Sequence, residues 1–400
     1  MADVIDLAEY GEGFRDDPHP VYARLRELGP VHRVRLPPPE SYDSWLVVGY
    51  DEARAALADP RLAKDVTGTG ARPGEENLRA VEDQVLGRHL LVADPPQHTR
   101  LRALVTRAFT ARRVEALRPR IQTITDELLD AMLPLGRADL VEAFAYPLPI
   151  TVICELLGVP EMDRTAFREM SNEFVAPASE EGFLRAVDRL AAYLCGLVED
   201  KRCAGPSDDL LGALIRTTAE DGDRLSPEEL QGMAFLLLIA GHETTVNLIA
   251  NTVRTLLGHP GQLAEVRADP ALVDAAVEET LRYEGPVENA TFRYAAEPLE
   301  IGGTAIARGE PVLIGLAAAD RDADRFPAAD RFDLHRDTRG HLAFGHGIHF
   351  CLGAPLARLE ARTALHTLLR RAPALALDAP AAEWLPGMLI RGARTLPVRW

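Results

Sequence analysis

Apolar residues recur along most of the chain at the three- and four-residue spacing of helices. Two-residue alternation is confined to short stretches near the ends and after residue 290. The pattern predicts a mainly α fold with minor β. Val31 to Arg35 and Trp45 to Val48 read as strands, and Leu299 to Ile306 as a hairpin turning at Gly302-Gly303. Pro37-Pro38-Pro39 and the Gly/Pro-rich Thr67 to Gly74 read as loops. The best-marked helix starts at Ser226-Pro227-Glu228-Glu229, where a capping serine, a proline at the first helical position and a glutamate at the third form a capping box. Running from Pro227 to Leu257, it would be about 46 Å long, enough to cross a domain and carry a buried site. Its apolar run from Met233 to Ala240 breaks abruptly into Gly241-His242-Glu243-Thr244-Thr245 before apolar residues return. That interruption requires a cause.

With 400 residues, 47% of them hydrophobic, the chain can bury a large core, which excludes disorder. No linker, low-complexity run or repeat divides it, so residues 1–400 read as one domain. Met1-Ala2-Asp3-Val4-Ile5-Asp6 offers neither a basic nor an apolar leader, and Met233 to Ala240 falls far short of the roughly 20 residues of a membrane span. A cytoplasmic protein without membrane attachment is expected. Cys154, Cys195, Cys203 and Cys351 have no paired spacing and do not look like a disulfide framework. The net charge of -17 speaks against nucleic acid as a partner. His98 to Arg120 runs against that average, holding Arg100, Arg102, Arg107, Arg112, Arg113, Arg118 and Arg120 against the single acid Glu115, and reads as a local positive face.

Cys351 sits in Phe344-Gly345-His346-Gly347-Ile348-His349-Phe350-Cys351-Leu352-Gly353, followed by a helix with Leu352, Leu356 and Leu359 on one face. A thiol at a helix start is favoured as thiolate by backbone N–H groups and the helix dipole. The glycines would let the backbone turn tightly and approach a flat cofactor. Taken alone, such a cysteine is more often a small buried hydrophobe. Phe, Gly, Cys and Gly at these four spacings, however, arise by chance in on the order of one in a thousand chains of this kind. Zinc held by His346, His349 and Cys351 competes, without the paired ligand spacing of zinc sites.

The loop resembles the heme-binding segment of the cytochrome P-450 monooxygenases, in the soluble bacterial form with a histidine two residues before the cysteine. The resemblance implies a single-domain fold with small sheets and heme b buried between the long central helix and the cysteine loop. Cys351 would be the axial ligand of the iron, with Phe344, Gly345 and Ala240 also contacting the cofactor. Glu279-Thr280-Leu281-Arg282 resembles the family's Glu-x-x-Arg helix, and Arg331 in Asp330-Arg331-Phe332-Asp333 the third member of its ion-paired trio. Ala240-Gly241-His242-Glu243-Thr244-Thr245 resembles the oxygen-activating stretch, in which Thr244 would hydrogen-bond the oxygen and Glu243 relay protons through water. Without the cysteine loop, the same residues would read as a Ser/Thr kink beside a solvated glutamate. His98 and Arg102, one helical turn apart, resemble the heme-propionate clamp, and Arg293 and His349 match its other contacts. Asp320-Arg321-Asp322 departs from the Asn-Arg-Asp that members commonly carry. It is expected to lie away from the chemistry and to affect only local packing.

The implied reaction inserts one atom of dioxygen into a C–H bond or forms an epoxide, the other atom leaving as water. No Gly-x-Gly-x-x-Gly follows a strand, so the two electrons are expected from a ferredoxin and its reductase, with the stretch Arg100 to Arg113 steering an acidic ferredoxin. By positional match Leu91, Leu236, Ile239, Ala240, Asn289, Ala290, Leu389 and Ile390 face the substrate, a mostly apolar set that suits a bulky hydrophobic ligand. The stretch Gly285 to Arg293 is similar to actinobacterial members that oxidise macrolide and other polyketide scaffolds, while similar sequences oxidise steroids and terpenoids. Two alternatives share the cysteine loop. A peroxide-driven peroxygenase usually lacks an acid-alcohol pair such as Glu243-Thr244, and a non-enzymatic heme-thiolate sensor or carrier needs no proton relay.

Overall fold

The computed structural model describes residues 4–37, 42–65, 89–160, 167, 170–171, 173–174, 180–205, 207–217, 222–378 and 383–400. Pro38-Pro39 and Thr67 to Gly74, read above as loops, lie outside them. The chain divides into two compact units, one of residues 1–71, 125–145 and 244–400, the other of residues 72–124 and 146–243.

The first unit contains the sheets. Its main sheet runs in the order Ile5–Asp6, Val31–Arg35, Asp43–Val47, Pro311–Ile314, Arg293–Ala295, Leu62–Ala63. Val31–Arg35 pairs antiparallel with Asp43–Val47, which runs parallel to residues 312–314. Side chains alternate across this sheet. Trp45, Val47, Val312 and Ile314 pack with Leu57, Ile306 and Phe326 on one face, while Val34, Leu46, Val48 and Leu313 pack with Leu7, Tyr22 and Leu25 on the other. Both faces are therefore core, and each such side chain contributes about 1.5–3 kcal/mol of burial. The strand expected from Trp45 begins earlier, at Asp43, because Asp43 lies opposite Arg35 and accepts from its Nε at 3.0 Å, an ion pair that extends the ladder past the apolar residues. The hairpin Leu299–Ile301/Thr304–Ile306 forms as expected.

The second unit is helical, including Gln97–Ala108, Pro147–Leu157, Glu180–Ala204 and Leu210–Arg216. The long helix spans Pro227–Gly258, its residues 227–243 counted with this unit and 244–258 with the first. Its start is the capping box read from the sequence: Glu229 N–H donates to Ser226 Oγ at 3.2 Å and Ser226 N–H to Glu229 Oε2 at 2.9 Å. Glu229 also accepts from Gln97 Nε2 at 2.6 Å and from Arg100, so the cap ties two helices together. Ser226→Ala is expected to lower the unfolding free energy by about 1 kcal/mol in urea titration. Midway along, Gly241 admits the Pro147–Leu157 helix: a Cβ there would lie 3.0 Å from Ile153 Cδ1. The helix is long and apolar enough to cross a membrane by composition, but 67% of its most apolar window is buried within the protein, as in a core helix.

Candidate functional site

Cys351 enters the site from a loop that folds back on itself. Its N–H donates to Phe344 O at 2.9 Å, and the short 3₁₀ turn Gly347–His349 is closed by Phe350 N–H donating to Gly347 O at 3.1 Å. Gly347 has φ +73°, and a Cβ there would lie 2.9 Å from Leu57 O, so only glycine fits. The thiol is half-buried, three residues before the helix Ala354–Arg371. The Arg358 guanidinium lies 4.4 Å above the Phe344 ring. Ile348 and Phe350 beside it are 47% and 42% exposed. Among the described residues no three His, Cys, Asp or Glu side chains gather as a metal cluster, so His346, His349 and Cys351 do not make a zinc set.

Among the described residues of the first unit, the most buried ion pair joins Arg282 and Glu279. Arg282 is 1% exposed, donates from Nε and Nη2 to Glu279 at 2.8 and 2.6 Å, and spends its remaining N–H groups on the carbonyls of Asp320, Ala329 and Arg331. The third ion is not Arg331, whose backbone oxygen alone takes part. It is Arg336, with Nε 3.2 Å from Glu279 Oε1. Asp320 also departs from expectation. Its carboxylate accepts the Leu342 N–H at 2.6 Å, at the root of the cysteine loop, and so does not lie away from it.

Cations follow. In the first unit Arg293 is 3% exposed, and its Nη1 approaches Thr291 O at 3.5 Å, the same carbonyl to which Lys64 Nζ donates at 2.7 Å. Lys64, also 3% exposed, was not singled out from the sequence. His349 is half-buried in the 3₁₀ turn. In the second unit His98 and Arg102 share the helix Gln97–Ala108. Burial, and then the Arg102 charge, hold His98 below the usual imidazole range, so at neutral pH it offers a neutral N–H.

On the long helix, Leu236, Ala240 and Thr244 follow one another at four-residue spacing, and none of them is buried. Ile239 and Gly241 beside them are half-buried, while Met233, Leu238, His242, Thr245 and Ile249 are buried. A stripe is thus left uncovered on a mostly buried stretch of the helix. His89, near Leu91, packs against Phe235 at 5.7 Å, which brings the Leu91 segment to the same helix. Glu243 is not merely solvated: His242 Nε2 lies 3.1 Å from Glu243 Oε1 and 3.0 Å from Ser171 Oγ, while His242 Nδ1 meets Leu238 O at 2.6 Å. With Nδ1 donating to that carbonyl, the 3.1 Å contact is a hydrogen bond only if a proton sits on Nε2 or on the carboxyl. In the sequence His242 stands only within the polar interruption. Its role as a partner of Glu243 comes from the structure.

In the first unit the remaining candidates converge. Glu288 N–H donates to Leu389 O at 2.9 Å, Asn289 Nδ2 to Met388 O at 2.7 Å, and Ala290 N–H to Ile314 O at 2.9 Å. Leu389 is 45% exposed, whereas Ile390 borders a cavity with Leu7, Phe14 and Met388. The arginine-rich stretch is less positive than its sequence. Arg100 pairs with Asp223 and Glu229, Arg118 with Glu115 and Arg120 with Glu155, three of these acids coming from distant positions.

The family model "Cytochrome P450" matches residues 171–372. The cytochrome P450 monooxygenase PikC of Streptomyces venezuelae is 57% identical, over 99% of this chain and 94% of that protein. The chain belongs to the cytochrome P450 family. The 6-deoxyerythronolide B hydroxylase of Saccharopolyspora erythraea is 48% identical to this P450, covering 100% of it and 99% of the hydroxylase. The solved structure of the tirandamycin C-bound P450 monooxygenase TamI matches with TM-score 0.90 and 45% identity, over 99% of each chain. This P450 is therefore a monooxygenase whose family uses heme, and its residues fit that cofactor. A half-buried thiol three residues before a helix suits a thiolate ligand, and the buried Lys64 and Arg293 beside Thr291, with the neutral His98 N–H and the half-buried Arg102 cation on the Gln97–Ala108 helix, suit anionic carboxylates.

Proposed function

We propose that this P450 hydroxylates or epoxidises a bulky hydrophobic secondary metabolite of the polyketide or macrolide class, with electrons from a ferredoxin and its reductase. The observation that carries the reading is the uncovered stripe at Leu236, Ala240 and Thr244, an apolar wall ending in a hydroxyl. Two relatives named as a 6-deoxyerythronolide B hydroxylase and a tirandamycin C-bound monooxygenase support the substrate class. When bound, heme b would supply the redox chemistry by which one atom of dioxygen goes to substrate and the other leaves as water, at the cost of two electrons and two protons.

The protein groups divide the remaining work. Cys351 would ligate the iron. Arg293, His349, His98 and Arg102 would hold the heme carboxylates, and Phe344, Gly345 and Ala240 would contact the cofactor. Glu243 and Thr244 are the catalytic pair. The Glu243 carboxyl, backed by His242 Nε2, holds a proton beside the stripe, and Thr244 presents a hydroxyl through which it can move. Leu91, Leu236, Ile239, Ala240, Asn289, Ala290, Leu389 and Ile390 shape the substrate site. Arg112, exposed on the short helix Ala111–Ala116, and its neighbour Arg113 steer an acidic ferredoxin. Because each unit is assembled from separate stretches of chain, we read residues 1–400 as one domain; the likeness to bacterial P450s over nearly the whole chain supports a soluble, cytoplasmic protein.

Reconstitution with a surrogate ferredoxin, its reductase and NADPH tests this. Macrolactones are expected to shift the ferric spectrum and to be oxygenated. Thr244→Ala is expected to keep NADPH oxidation while the product formed per NADPH falls severalfold. Binding confined to small fatty acids would end the polyketide assignment, and turnover with peroxide but never with ferredoxin would make the protein a peroxygenase.

A further inference from the structure

Asp320 is 1% exposed, just after the short helix Leu316–Ala319. Its Oδ1 accepts the Leu342 N–H, the Leu342 carbonyl accepts the Gly345 N–H at 2.7 Å, and the Phe344 carbonyl accepts the Cys351 N–H. A short run of hydrogen bonds and peptide units therefore leads from one buried carboxyl to the backbone of the proposed iron ligand. An asparagine would supply the same acceptor without the cost of burying a charge. Among the described residues no salt bridge pairs the Asp320 carboxylate. The charged groups around it are committed elsewhere: Arg282 to Glu279, His341 to Glu278 at 3.3 Å, Arg321 to the Tyr283 carbonyl, and Asp322 to the Tyr50 N–H.

Burial raises the Asp320 carboxyl to about 7. An acid whose folded pKa is raised costs no stability below its unfolded value near 3.9 and reaches its full cost above pH 7. The carboxyl is therefore not there to stabilise the fold. What it has and an amide lacks is a negative charge that appears near neutrality, hydrogen-bonded to the cysteine loop.

We propose that Asp320 is a positioning residue for Cys351: its side-chain oxygen, accepting the Leu342 N–H, holds the loop, and its negative charge lowers the reduction potential of the thiolate-bound iron. The proposal rests on the reading of Cys351 as the ligand. The test compares the wild-type holoprotein with Asp320→Asn and Asp320→Ala, by redox titration from pH 5.5 to 8.5 and by hydrogen exchange of the amides from Leu342 to Cys351. The wild-type potential should fall with rising pH in a step that Asp320→Asn lacks, the two converging at the acid end. Asp320→Ala should speed exchange in the loop, and Asp320→Asn should restore protection. Thermal unfolding adds an independent sign: at pH 8 Asp320→Asn should melt higher than wild type, with the gap closing as pH falls toward 4. Parallel potentials for wild type and Asp320→Asn at every pH, with a thiolate-type spectrum in both, would overturn the proposal. A wild type without that spectrum under carbon monoxide would overturn the ligand reading and the proposal with it.

Discussion

Glu279→Ala is expected to cost this P450 about 3–5 kcal/mol of stability, because it strands a fully buried guanidinium whose partner has gone. Arg282 and Glu279 have side chains 0% exposed, so water cannot replace the lost carboxylate. The Asp333 N–H, which donates to Glu279 Oε1 at 2.9 Å, loses its acceptor too. Against the 5–15 kcal/mol typical of a folded domain, this is enough to leave mostly insoluble protein. Urea unfolding and soluble yield would measure it, and a loss under about 1 kcal/mol would show that the trio is not a stability centre. The series separates the two arginines. Arg336→Ala should destabilise, whereas Arg331→Ala should stay close to wild type, since only the backbone of Arg331 contacts the pair.

Cys351→Ala is expected to abolish oxygen-dependent turnover and the thiolate signature of the reduced protein under carbon monoxide, with far-UV dichroism unchanged. The thiol is half-buried at a loop closed by backbone hydrogen bonds, so its sulfur is not what holds the loop. On the proposed ligation, loss of the thiolate removes the electron donation that distinguishes this ligand from imidazole. If the variant kept the signature, the ligand would have to be Cys154, which is buried, or Cys195 or Cys203, which are exposed on another helix.

Features written in local sequence were legible before the structure. The capping box at Ser226, the long helix, the glycine-turned hairpin and the cysteine loop each depend on residues within a few positions of one another. Features that depend on the path of the chain were not. The ion trio was half legible, because Glu279 and Arg282 are one turn apart, while the choice of Arg336 over Arg331 depends on how the loop after Phe332 bends. Asp320 reaches Leu342 across a connection that no spacing rule describes. The arginine-rich stretch looked more positive than it is because Glu155, Asp223 and Glu229 return to neutralise it. His242 did leave one signal: a histidine inside a helix can place Nδ1 on the carbonyl four residues back, as it does with Leu238, which turns Nε2 outward to a partner.

The partners of Glu279 and Arg282 come from residues 320, 329, 331, 333 and 336. None of these positions is proposed to touch substrate. With the proposed substrate contacts, stability and selectivity are therefore encoded at separate addresses in the chain. Leu236, Ala290 or Leu389 can be exchanged by mutation without drawing on the ion pairs that keep the protein folded. A lineage built this way can try new substrates one residue at a time, each trial starting from an intact scaffold.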